Sequence, residues 1–83
     1  MPKKTKRYAS LMALKGRIRE RGTSYRELSE SIGIAIPTLS DKINGFYAMD
    51  LPEAEKIAEF LDIPPLEIPK FFFPNVLRNS KIN

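Results

Sequence analysis

With no histidine and no cysteine among its 83 residues, this chain lacks the side chains that most often hold zinc and those that supply thiol or imidazole nucleophiles. What chemistry it has is gathered in one short stretch. Behind Ile36 and Pro37 stand the hydroxyls of Thr38 and Ser40, the carboxylate of Asp41 and the ammonium group of Lys42. No base accompanies the serine, and no convergent carboxylate pair is apparent. The set is suited to binding a surface and not to making or breaking bonds. An enzyme is therefore not expected, nor a catalytic residue, metal ligand, cofactor or small-molecule substrate.

These groups act together only if something rigid presents them. The stretch from Ser24 to Gly45 has that design. Leu28 and Ile32 are four apart, which puts them on one face of a helix. Gly33 ends that helix in a left-handed conformation that a Cβ would oppose, and Ile34 plugs the corner. Pro37 opens a second helix, predicted over 36–43, where its missing N–H is not needed. Leu39 and Ile43 face inward, and Asn44-Gly45 closes the element. Helix, glycine turn and helix of this length make a helix-turn-helix, whose second helix usually enters the major groove of DNA. Ile36, Pro37, Thr38, Ser40, Asp41 and Lys42 are then the expected base-reading residues. Isoleucine can pack on a thymine methyl, Asp41 can accept from a cytosine amino group while repelling phosphates, and Lys42 can reach guanine or phosphate. An alternative stays open: the Ile36-Pro37 face can instead pack against a protein, either a second subunit or another regulator.

Charge favours a polyanion. The net charge is +4, but residues 1–48 hold ten Lys/Arg against four Asp/Glu, while residues 49–83 hold four against six. Positive charge thus accompanies the motif. Residues 1–8 read as a flexible basic arm in which Lys3, Lys4, Lys6 and Arg7 can track phosphates, or can simply solvate a terminus. The longest apolar run, Phe71-Phe72-Phe73, is stopped by Pro74, far short of a membrane span. No apolar stretch follows the basic N-terminus as a secretion signal requires. A cytoplasmic location and no membrane partner are expected.

The flanking elements follow from pattern. Leu11, Leu14 and Ile18 predict a first helix starting at Ala9 or Ser10 and ending at Arg21. Gly16 inside it suggests a close helix–helix approach. Thr23 or Ser24 is expected to cap the next helix, Ser24 and Glu27 having capping-box spacing, and the exposed N–H groups of its first turn can bind phosphate, with Arg26 adjacent. Asp50, Pro52 and Glu53 start a further helix whose stripe is Leu51, Ala54, Ile57, Ala58 and Leu61. Its other face, Glu53, Glu55, Glu59 and Asp62, should point away from DNA. Tyr47 in the preceding loop is within reach of the backbone, and Phe46 is expected in the core. Residues 71–83 form an apolar tail. Adjacent positions on a helix fan out by about 100°, so three phenylalanines should not all face one core. A dimer contact through Phe72, Phe73, Val76 and Leu77 is one reading; folding back on the domain is the other.

The motif residues Leu28, Ser29, Gly33-Ile34, Thr38-Leu39-Ser40 and Asn44-Gly45, followed by EAEKIAEFLDI over 53–63, resemble the Cro and lambda-repressor-like (XRE) helix-turn-helix family. The resemblance covers residues 10 to 68. It implies an all-α, compact five-helix domain, here residues 9–70, acting on double-stranded DNA as a homodimeric phage or mobile-element repressor. It also places Tyr25 and Asn44 on phosphates, although half-buried packing is an equal reading for Tyr25. Ala35 stands where the family usually has a Ser, Thr or Asn cap, and Ile36, Pro37 and Asp41 replace the usual Gln, Arg or Asn. A protein-interaction module that binds a partner repressor is the rival assignment.

Overall fold

The turn at residues 33–35 decides how the two central helices meet. Gly33 sits at φ 77° and its N–H donates to the Ser29 carbonyl at 2.9 Å. The Ser29 hydroxyl donates in turn to the Ile34 carbonyl, so the small residue at 29 fastens the corner. The computed structural model describes residues 5–74. Among these the elements are α1 (Met12–Glu20), α2 (Tyr25–Ile32), α3 (Ile36–Ile43), α4 (Leu51–Phe60), a 3-10 turn (Pro65–Glu67) and α5 (Ile68–Phe72). Leu14, Leu28, Leu39, Ile43, Ile57 and Leu61 are fully buried and come from four helices and the turn after α4. Each such side chain contributes about 1.5–3 kcal/mol by leaving water. The domain is all-α with five helices, as expected, and α3 spans the predicted residues.

Several local expectations are corrected by packing. The first helix starts at Met12, not at Ala9 or Ser10, because the preceding segment bonds elsewhere. Arg7 and Tyr8 N–H donate to the Gly45 carbonyl at 2.9 and 3.0 Å, and Leu11 N–H donates to the Ile43 carbonyl at 2.9 Å. The Ser10 hydroxyl reaches the Asn44 carbonyl at 3.2 Å. The basic arm is therefore tied down at its inner end, while Lys3 and Lys4 lie outside the described residues. Gly45 makes this docking fit: at φ 93°, a Cβ there would lie 2.2 Å from the Tyr8 carbonyl oxygen. Gly16, by contrast, faces open space, so no close helix approach explains it. Leu51 is 53% exposed and is not part of the α4 stripe; Met49, just before the helix, is buried instead. Phe46 is only half-buried.

The acidic face of α4 is also partly used inside the fold. Asp50 and Glu53 complete the expected capping box, with Glu53 N–H donating to Asp50 Oδ1 at 2.9 Å and Asp50 N–H to Glu53 Oε1 at 3.3 Å. The same Glu53 carboxylate receives Lys42 Nζ on both oxygens, at 2.5 Å for Oε1. Asp62 takes Arg21 at 2.5 Å and offers its carbonyl to Arg17 at 3.1 Å, which joins α1 to the end of α4. Glu55 and Glu59 remain exposed.

Two adjacent phenylalanines do enter one core. Phe71 and Phe72 are both buried where α5 packs against both α1 and α4. Arg17 lies 5.9 Å from the Phe71 ring centre and Lys70 5.5 Å, a favourable place for cations over an aromatic face. Phe72 thus packs into its own domain, not onto a partner as a dimer contact requires. Phe73 is half-buried and lines an apolar cleft with Tyr8, Leu11, Tyr47, Met49 and Pro74. Val76 and Leu77 lie outside the described residues.

Two sets of substitutions check this packing by denaturant unfolding. Gly45→Ala should lose at least about 1–2 kcal/mol from the left-handed backbone alone, whereas Gly16→Ala should gain about 0.5–1 kcal/mol. Lys42→Ala should cost about 1–3 kcal/mol, between an exposed and a buried ion pair. A double-mutant cycle with Glu53→Gln should then return a favourable coupling; additive losses would mean that the pair does not hold α3 to α4.

Candidate nucleic-acid interface

The face of α3 turned away from the core begins with its first turn. Leu39 and Ile43 anchor the helix inward with no exposed surface, and this leaves Ala35, Ile36, Pro37 and Thr38 in solvent. Ile36 is 39% exposed, so part of this large apolar side chain faces solvent at the front of the helix. Ala35 gives α3 no side-chain cap. Ser40 and Asp41 are half-buried further along.

The polar residues predicted to read bases do not all reach outward. Lys42 is corrected: its side chain is 16% exposed and paired with Glu53, which is 19% exposed, so it braces α3 instead of projecting from it. The Ser40 hydroxyl accepts from Asn44 Nδ2 at 3.2 Å. Asn44 is corrected as a phosphate ligand for a related reason. Its side-chain amide donates to the Ser40 carbonyl at 2.9 Å, its backbone N–H donates to the same carbonyl at 2.9 Å, and both are spent on closing the helix. No periodicity signals the Lys42–Glu53 contact, since the partners are eleven residues apart on different helices.

The predicted phosphate residues fare differently. Ser24 caps α2 by accepting from Glu27 N–H at 3.2 Å. The reciprocal half of that box is missing, because the Glu27 side chain accepts from Thr23 Oγ1 at 3.0 Å instead. Arg26 is exposed beside it. Tyr25 is half-buried against the core, and burial pushes its phenol above the ordinary range. The hydroxyl thus stays protonated and remains a donor in neutral solution. The sign for stability is that this burial is fully tolerated below the phenol's unfolded pKa and becomes costly as pH rises toward ionisation. Tyr47 is 53% exposed. Lys6 and Arg7 are exposed and sit next to the C-terminal end of α3, held there by the bonds to Gly45.

Sequence reasoning missed two contributors. One is Ala35, whose exposure extends the apolar front of α3; the departure from the usual cap residue was its only signal. The other is Glu53, whose capping role was legible but whose second role as the Lys42 partner was not. Among the described residues no group of three or more acidic, cysteine or histidine side chains converges as a metal site, and no helix is long and apolar enough to cross a membrane.

A family model described as a Cro/C1-type HTH DNA-binding domain matches residues 13–73, from the first turn of α1 to the phenylalanine that follows α5. No curated protein matches the chain. The match spans most of the sequence and includes the whole α2-turn-α3 unit whose exposed helix is described above. This chain belongs to the Cro/C1-type helix-turn-helix family, as a DNA-binding domain of transcription regulation.

Proposed function

We propose that the chain represses transcription by occupying operator DNA as a homodimer, in the manner of small phage or mobile-element regulators of the Cro kind. The observation that carries this reading is the layout of α3: an uncovered first turn at one end and the exposed Lys6 and Arg7 beside the other. Eight residues of helix span about 12 Å, so a single groove can accept the front while the basic pair meets its phosphate wall. Phosphates give affinity and register; the α3 front discriminates among bases. Ser24, Tyr25 and Arg26 at the start of α2 supply a second phosphate contact, and Tyr47 a further one from the loop after α3. Thr38, Ser40 and Asp41 join Ile36 and Pro37 as base-facing residues, and Lys42 supports them from behind.

A dimer would place two such helices in successive major grooves of a near-palindromic site, one helical turn apart. Phe73, half-exposed on the apolar cleft, remains the described part of that contact. Sedimentation across a concentration series tests it: a rise in mass with concentration supports the dimer, and constant monomer mass opposes it. The rival reading, a module that grips a partner repressor, draws on the exposure of Ile36. It requires co-elution with that partner and little duplex binding alone.

Binding to duplex DNA from a random library, measured over a range of salt, separates the two. Log affinity should fall linearly with log salt. Lys6→Ala and Arg7→Ala should each weaken binding about equally on every sequence and reduce that slope by roughly one. A slope that either variant leaves unchanged would remove that residue from the phosphate contacts.

A further inference from the structure

We propose that this chain recognises its sites through the C5-methyl groups of thymine, packed against the apolar first turn of α3, and not through paired hydrogen bonds to purines. The inference rests on the DNA-binding reading of α3 and specifies what that helix selects. Ala35, Ile36, Pro37 and Thr38 are consecutive and exposed, and what they offer is methyl and methylene surface with one hydroxyl. Bidentate readout of guanine or adenine calls for a guanidinium, an ammonium or an amide. The ammonium of α3 is held by both oxygens of Glu53. The amide at its end, Asn44, is folded back on Ser40, whose hydroxyl it occupies. Tertiary contacts have thus withdrawn the purine-reading groups and left the apolar ones in front.

Such a surface is selective by two effects of the same sign. It gains when it covers the thymine methyl, the apolar feature of the major groove. It loses where its methyl and methylene groups cover guanine N7 and O6, because those acceptors give up water to carbon, which donates nothing in exchange. Residues 35–38 rise about 4.5 Å along the helix, and base pairs are about 3.4 Å apart. The front therefore addresses one or two adjacent base pairs in each half-site, and thymine is expected there.

The test uses the full chain and needs no variant to begin. Duplexes are selected from a random library, and each thymine of the selected site is replaced singly by deoxyuridine. This removes the methyl group and keeps every hydrogen-bonding group. Affinity should fall about fourfold for each methyl that is packed, at one or two adjacent positions per half-site, and that sensitivity should vanish in Ile36→Ala. A selected site bound equally well with uridine at every position overturns the methyl reading while DNA binding stands. Failure to hold any duplex at low salt overturns the DNA-binding reading as well, which is also the outcome if the same front serves a protein partner.

Discussion

A helix of eight residues does not persist in water by its own hydrogen bonds, because nucleation costs more than so few bonds return. α3 exists because its surroundings hold it at every point that does not face outward. Leu39 and Ile43 are fully buried on its inner side. At its end the carbonyls of Ile43, Asn44 and Gly45, which no residue within the helix can satisfy, are taken by Leu11 N–H, the Ser10 hydroxyl, and the N–H groups of Arg7 and Tyr8. Lys42 adds an ion pair to the first turn of α4. The N-terminal segment thus acts as a cap for the helix proposed to read DNA, and this fixes where the basic residues beside it begin.

That arrangement couples charge to position. The chain's positive excess lies before residue 49, and the arm that carries part of it is brought to the α3 terminus by backbone bonds for which the bare Cα of Gly45 leaves room. The acids of the second half are kept from interfering in two ways. Glu53 and Asp62 are neutralised by Lys42 and Arg21 within the fold. Glu55 and Glu59 lie exposed on α4, apart from the core-facing residues Ala54, Ile57 and Ala58. Near α3 the exposed charges are then Lys6 and Arg7 at its end, with the half-buried carboxylate of Asp41 on the helix itself, at a range where screening is least.

The parts of the fold readable in the sequence were those governed by local rules. Four-residue apolar spacing located α2 and α3, Gly33 marked the turn, and Asp50 with Glu53 marked the start of α4. The parts that were not readable depend on contacts between distant segments. Met12 starts α1 because residues before it bond to Gly45 and Ile43, more than thirty positions away. Leu51 fits the α4 stripe by spacing, yet at the first helical position it falls outside the core that Met49 fills. Phe71 and Phe72 share a core because α5 packs against two helices, a fact that an isolated helical wheel does not contain. The candidate site divides in the same way. The exposed face of α3 was legible down to Ile36, Pro37 and Thr38, whereas the withdrawal of Lys42 and Asn44 followed from tertiary partners.

The central claim is that α3, braced from behind and capped by the N-terminal segment, presents its first turn to the major groove. Amide chemical-shift mapping during titration with a selected duplex tests it most directly. The account predicts the largest changes at Ala35, Ile36 and Thr38, with a second group at Lys6, Arg7 and the start of α2, and small changes along Glu55 and Glu59. Changes centred on the exposed side of α4, with residues 35–38 unmoved, would contradict it.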